Sequence, residues 1–386
     1  MGADQSITLI QEGRGADEFG IQPRPNGFGN WAENSSGSYS ATLVPTSEEA
    51  DLILNQLVSL LPVDRHTYTP AFLRASSLTG WRPIVCAVRR NGRPVGLVYL
   101  KEKTIGGLGT GLIYADAVLG NLTVAVQGHD QNVLHAALEK IISMPRSRGL
   151  RLCIRPGSYE QEVVRRLQGS FALDVSSHQV RYHSALELPA TYELFLNSLG
   201  SRTRRNCRYY RRRFESAGGV YEEFSAFSDF CAAAESIVGR KVVGGTRRGL
   251  NRAFAMLSAV DKPVFAGLRT NQGTWLAVLG GWYTETNPIV FMQLNNDRDH
   301  AGSSLSLVLR SYFIEQLIRQ GQRGLIFWSG SGGWTSRHDT PIPTLAVYLD
   351  KRDAAWRLGR QAAARLSGYL PDSLFPMIRW ITPPLQ

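Results

Sequence analysis

Apolar and polar positions alternate along this chain in two runs of elements that follow the same order. In the first run, Thr46-Ser-Glu-Glu49 is a capping-box pattern opening a helix that carries Ile53, Leu57, Leu60 and Leu61 and stops at Pro62. Pro83–Arg90 and Pro94–Leu100 are extended runs joined by Asn91-Gly92, a pair suited to a two-residue hairpin turn because both positions need positive φ. Leu112–Leu119 is a further extended run. Val133, Leu134, Ala137, Leu138, Ile141 and Ile142 recur at helical spacing and predict a helix over 131–143. The short apolar strand Leu150–Ile154 and a helix over about 158–168 follow.

The second run begins with a helix over 190–217, then the extended Val220–Phe224 and two helices near 227–239 and 247–259. A β-meander is expected next: Pro263–Leu268, Trp275–Tyr283, and a strand from Pro288 to about Leu294. A helix over 304–320, the strand Leu325–Trp328, a last strand Thr344–Leu349 and a helix near 352–367 complete it. The repetition leaves a trace in the residues themselves. Glu139-Lys-Ile-Ile runs through Arg148-Gly149 into an apolar strand, and Glu315-Gln-Leu-Ile runs through Arg323-Gly324 into another. Two copies of one α/β unit are expected, 45–188 and 189–386. They follow a Gly-, Asn-, Ser- and Pro-rich leader, 1–44, which shows no apolar period and reads as disordered.

Composition alters this picture in three ways. The net charge of +11 calls for an anionic partner: a phosphorylated cofactor, a nucleic acid or an acidic surface. The four cysteines form no CxxC pair and sit inside periodic segments, so neither a metal site nor a disulfide is expected, and a reduced, cytoplasmic protein is the simpler reading. No apolar run approaches the ~18 residues of a membrane span, and the first residues lack the basic start and apolar core of a signal peptide.

The chemistry gathers around one junction. The apolar Pro288-Ile-Val-Phe-Met runs into Gln293-Leu-Asn-Asn-Asp-Arg-Asp-His-Ala-Gly302-Ser-Ser304, and then a helix begins. The first N–H groups of a helix are unpaired and carry partial positive charge, so a strand–glycine–helix junction is a seat for phosphate. Seven arginines, among them Arg204, Arg205 and Arg208, crowd the helical stretch 202–213 and suit phosphate oxygens. The glycine-rich Trp328-Ser-Gly-Ser-Gly-Gly-Trp-Thr-Ser-Arg-His338 follows a strand end and permits close backbone approach to a ligand.

Two stretches give this order a family likeness. One is Thr191-Tyr-Glu-Leu-Phe-Leu-Asn-Ser-Leu-Gly-Ser-Arg-Thr-Arg-Arg-Asn206, with the arginine-rich helix and Ala217-Gly-Gly-Val behind it; the other is Ala301-Gly302-Ser-Ser-Leu with its helix and the Arg-Gly-Leu-Ile-Phe strand. Over about residues 46–380 the chain resembles the GNAT acyltransferase superfamily. Within it, the chain is similar to the tandem BioF2-like or CelD-like branch related to the Fem peptidoglycan aminoacyltransferases. It departs from the usual phosphate loop, Gln/Arg-x-x-Gly-x-Gly/Ala, in that Arg298-Asp-His-Ala301-Gly302-Ser303 has Ala at the first glycine and Ser at the end. Gly332-Gly-Trp-Thr-Ser-Arg337 stands where the branch often carries a Tyr-Lys pair.

The resemblance implies an α/β fold of two tandem GNAT-like units, each a mixed central sheet flanked by helices. It implies an N-acyltransferase that moves an acyl group from acyl-CoA or an acyl carrier protein to an amine of a small molecule or peptide, without a metal. Gln293 and Asn295 are expected along the pantetheine arm, with Arg298, Gly302, Ser303 and Ser304 at the pyrophosphate and Arg204, Arg205 and Arg208 at the 3′-phosphate or the carrier's acidic surface. Direct attack on a thioester needs a base for the amine and an acid for the thiolate. The candidates are Glu285, Asp297, His300, Tyr312 and Ser329. Two rival readings are a Fem-like transferase using aminoacyl-tRNA and a non-catalytic RNA- or carrier-binding protein of the same fold.

Overall fold

The computed structural model describes residues 38–44, 47–58, 72, 74–75, 80–116, 123–125, 128–180, 183–239, 244–260, 262–284, 287–296, 302–328 and 338–351. The first sheet draws on β1 (Tyr39–Leu43), β2 (Trp81–Arg90), β3 (Arg93–Ile105), β4 (Leu108–Asp116), β5 (Thr123–Ala125), β6 (Gly149–Ile154) and β7 (Leu173–Val180). Interspersed with them are α1 (Ser47–Val58), α2 (Asp130–Ser143) and α3 (Tyr159–Ser170). The second sheet draws on β8 (Ser184–Glu187), β9 (Val220–Glu223), β10 (Pro263–Arg269), β11 (Trp275–Tyr283), β12 (Pro288–Asn295), β13 (Gly324–Phe327) and β14 (Thr340–Pro341). Its helices are α4 (Tyr192–Ser198), α5 (Ser201–Ser216), α6 (Phe227–Val238), α7 (Gly244–Leu257) and α8 (Leu305–Arg319). A last strand, β15 (Thr344–Lys351), ends the described chain.

Local chemistry explains most of these elements. Asn91 and Gly92 take φ of 52° and 80°, the mirror-image turn that hairpin twist demands, and close β2 onto β3. The apolar stripe of α2 is buried at Val133, Leu134, Ala137, Leu138, Ile141 and Ile142. The helix expected over 190–217 is broken: Leu199 turns extended and Gly200 caps α5, so α4 and α5 are separate. Residues 39–43, read as part of a disordered leader, form a strand paired in full with β2, from Tyr39↔Arg90 to Leu43↔Cys86. The rest of the leader and the helix expected near 352–367 lie outside the described residues.

Both sheets follow one plan. The first runs β1-β2-β3-β4-β6-β15-β7, with β5 on β3, and the second runs β14-β8-β13-β12-β11-β10-β9. In each, one parallel pairing, β4–β6 or β12–β13, sits among antiparallel ones. The tandem mixed-sheet α/β architecture is therefore the fold of this chain. The strand beyond each parallel pair is exchanged, however. β15 lies in the first sheet, and β8, which precedes the boundary expected near residue 188, lies in the second.

β15 is held between β6 and β7 along its length. Its Asp350 meets Arg151 of β6 at 2.6 Å, with both side chains 4% exposed. The Arg151 guanidinium also lies 4.9 Å from the Tyr348 ring centre. A buried pair of this kind loses heavily when one partner is removed, because the other is left charged and unpaired. Asp350→Ala is expected to cost about 3–5 kcal/mol by urea denaturation, while Arg151→Met combined with Asp350→Leu recovers most of that loss.

Candidate functional site

The site grows from the parallel pair at the centre of the second sheet. Among the described residues, β12 and β13 pair at Ile289↔Ile326 and Val290↔Phe327. One further bond joins them, from Trp328 N–H to Val290 O at 2.9 Å. Beyond it, among the described residues, β12 runs on to Asn295 against β11 alone. The corresponding pair in the first sheet is closed for longer, with five consecutive pairs from Leu112↔Gly149 to Asp116↔Cys153.

The opening coincides with a β-bulge. The β11–β12 register steps between Gly280↔Met292 and Gly281↔Val290, which leaves Phe291 as the extra residue. Val290 faces β13, whereas Asn296 sends its N–H to Leu276 O of β11 at 2.8 Å. Alternation back from Asn296 turns Leu294 and Met292 towards β11, and Gln293 and Asn295 outward into the gap. Gly280 and Gly281 permit this close approach. A Cβ on Gly281 would stand 1.8 Å from Ile289 O, and one on Gly280 2.7 Å from Phe230 Cζ.

The two walls of the slot differ. On one side Arg310 of α8 donates from Nε to Gln293 Oε1 at 2.7 Å, and Gln293 Nε2 donates to Asn295 Oδ1 at 2.9 Å. The Arg310 guanidinium also lies 5.0 Å from the Phe327 ring centre. Burial lowers the Arg310 pKa to about 10, against the upward pull of Asp339, so the group stays cationic at neutral pH. On the other side Trp282, Phe291 and Trp328 pack with ring centres 5.5–5.6 Å apart. Phe72 meets Trp282 edge-on, and His183 meets Trp328 likewise. Trp282 is fully buried with its indole N–H unbonded.

The junction into α8 is tightly wound. Gly302 has φ +79°, with open space where a Cβ would stand, and Ser304 has φ 49° and ψ 45°, a left-handed conformation uncommon for serine. Ser304 occupies the capping position, yet its side chain makes no capping bond. The first turn of α8 thus begins at a backbone cradle without a side-chain cap.

Among the sequence-predicted residues, Gln293 and Asn295 lie on the slot, and Gly302, Ser303 and Ser304 lead into α8. Tyr312 lies at the seam between α8 and α5, where its hydroxyl donates to Glu215 and its ring stacks on Tyr221 at 5.1 Å. Burial, then the bond to Glu215, push its pKa up to about 12. Glu285, Asp297, Arg298, His300 and Ser329 lie outside the described residues. Cys207 is buried, and burial raises its pKa to about 11, so it packs as an apolar group.

The arginine helix belongs elsewhere. Arg211 pairs with Glu315 at 2.7 Å, and Glu215 accepts from Tyr312, so α5 and α8 run antiparallel. Arg204, Arg205 and Arg208 therefore lie towards the far end of α8 from Ser304, roughly 20 Å along its axis at 1.5 Å rise per residue. They line an open cleft of about 550 Å³ with Tyr209, Arg212 and Arg213. Arg204 holds Asn197 at 3.1 Å, and Arg208 holds Glu193 at 2.9 Å.

Sequence reasoning missed Arg310, the bulge and the aromatic wall. Arg310 had a signal, a lone cation within the apolar Leu305–Ile314 stretch. Among the described residues no three His, Cys, Asp or Glu side chains converge as a metal site would require. No helix of the described residues is long and apolar enough to cross a membrane.

No protein-family model and no curated protein match the chain. Its fold does match solved structures. FemX aligns with a TM-score of 0.51 at 12% identity, over 83% of this chain and 99% of FemX. The C-terminal domain of a protein from Agrobacterium fabrum, described as a lysylphosphatidylglycerol synthetase, aligns at 0.50 and 13%, over 83% and 98%. A conserved protein of unknown function from Bacteroides thetaiotaomicron aligns at 0.50 and 12%, over 79% and 98%. The chain shares its tandem mixed-sheet fold with FemX, as the family resemblance had led one to expect.

The glycine pair opposite the bulge carries a direct expectation. Gly281→Ala forces its new methyl onto the Ile289 carbonyl and should lower stability by about 1–3 kcal/mol in urea denaturation.

Proposed function

We propose that the chain is an N-acyltransferase whose thioester donor, acyl-CoA or an acyl carrier protein, enters the slot between β12 and β13. The observation that carries this is the slot itself: β12 continues past its partner, with the backbone of Gln293 and Asn295 facing the gap. An extended amide-containing arm pairs with such a backbone as an added strand does. Gly302, Ser303 and Ser304 at the start of α8 suit the pyrophosphate, and Arg310 adds a cation to the wall beside Gln293. Phe291 and Trp328, backed by the buried Trp282, offer an apolar wall for the acyl group.

Chemistry then follows by direct attack. The amine nitrogen bonds to the thioester carbonyl carbon, the tetrahedral oxyanion takes hydrogen bonds from the strand end, the amine proton leaves to a base, and the C–S bond breaks to release the carrier as a thiolate that takes up a proton from an acid. Glu285, Asp297, His300 and Ser329 are the candidates for that proton traffic. The acceptor is an amine of a small molecule or peptide.

A second reading keeps the slot and changes the donor to aminoacyl-tRNA. The arginine cleft favours it, because Arg204, Arg208 and Arg212 stand on one row of α5, apart from the phosphate cradle. Thermal shift separates the two. Acyl-CoAs of increasing chain length should stabilise the protein in a graded way, and Gly302→Val should remove the response while the fold persists. Stabilisation by total tRNA alone, weakening steeply with salt, would favour the second reading. Stabilisation by neither would sink both.

A further inference from the structure

The end of β13 carries a bond that acyl transfer does not use. Each strand residue sends its N–H and C=O towards the same neighbour, and successive residues alternate. Trp328 sends its N–H to Val290 on β12. An ordinary continuation would send its carbonyl to β12 as well. The carbonyl instead accepts from Nδ1 of His183, on the opposite neighbour. The β8–β13 register, which pairs Ser184 with Phe327, brings His183 opposite Trp328 at the next step.

The direction of this bond is fixed by chemistry. A carbonyl only accepts, so Nδ1 carries the proton. His183 is 3% exposed, and its ring meets the Trp328 indole edge-on at 5.5 Å. Its own carbonyl accepts from Ile342 N–H at 2.9 Å, which pins the backbone beneath the ring. On the other side of the gap, the bulge at Phe291 makes Gln293 the next residue of β12 to face β13. The Trp328 carbonyl and the Gln293 N–H are thus the next groups to face each other across the gap, and they do not bond because the carbonyl is held by the His183 side chain.

We propose that His183 is a positioning residue for the slot: its Nδ1–H draws the Trp328 carbonyl out of the β-ladder and stops β13 from closing onto Gln293. The proposal stands on backbone geometry, and only its consequence for donor affinity rests on the acyl-transfer reading. Without the imidazole donor, the Trp328 carbonyl takes the Gln293 N–H, and the outward backbone of β12 is lost to any arm.

Amide hydrogen exchange at Gln293, read by NMR on the full chain, tests this directly. In the wild type that amide should exchange as an unpaired strand N–H does. His183→Phe keeps a ring and removes the donor; exchange at Gln293 should slow at least tenfold, and acetyl-CoA affinity should fall at least tenfold. His183→Asn, whose amide nitrogen takes the place of Nδ1, should restore both. A protected Gln293 amide in the wild type overturns the proposal without need of any variant. So does an unchanged exchange rate in a folded His183→Phe protein, or an Asn variant that behaves as the Phe variant does. Failure of the wild type to bind acetyl-CoA counts against the acetyl-CoA form of the donor reading, and the exchange rates still decide the role of His183.

Discussion

The placement of β15 is the constraint on which the two halves depend. A strand from the far end of the described chain fills the gap between β6 and β7 and completes the first sheet. Residues 199 apart, Arg151 and Asp350, make the buried ion pair there. β8 performs the reciprocal service in the second sheet, pairing with β13 and β14. Neither sheet is assembled from its own half of the sequence alone. The long return also slows the search for the native state, since contacts this distant are made only after a large loop is closed.

The exchange places β8 at the flank of β13, and so it bears on the slot. Among the described residues, β13 has an antiparallel partner along its whole length on one side and a two-residue parallel partner on the other. It is anchored by β8, which leaves β12 free to run on. The bulge at Phe291 and the glycines opposite it set which backbone groups face the opening.

Much of this was legible in the residues, and the remainder was hidden for physical reasons. Asn91-Gly92 carries its own turn, and the α2 stripe its own face, because these signals are local. The junction at Gly302 was likewise readable, since a strand, a glycine and a helix follow one another directly. β7 was missed because Ser176, Ser177, His178 and Gln179 have the composition of a loop; they are extended because β15 pairs with each of them. The allocation of β15 and the position of the bulge depend on a neighbour distant in sequence, and no window of residues contains that information. Ser304 followed a rule in position and broke it in chemistry, standing at the cap without capping.

The two strand–helix junctions show how far two copies of one fold can diverge. At the first, α2 opens with Asp130, a carboxylate in the first turn that already complements the helix dipole and repels an incoming anion. His129, at its cap, bonds through Nδ1 to the Tyr39 hydroxyl at 2.8 Å, so that corner is spent on holding β1. The parallel pair leading to it is closed through five positions. At the second junction the first turn of α8 has no acidic residue, the cap side chain is unused and, among the described residues, the parallel pair holds two positions. Each difference leaves the helix end at Ser304 more open to an anion than the one at His129. The first unit has spent on its own cohesion the backbone and helix end that the second leaves open.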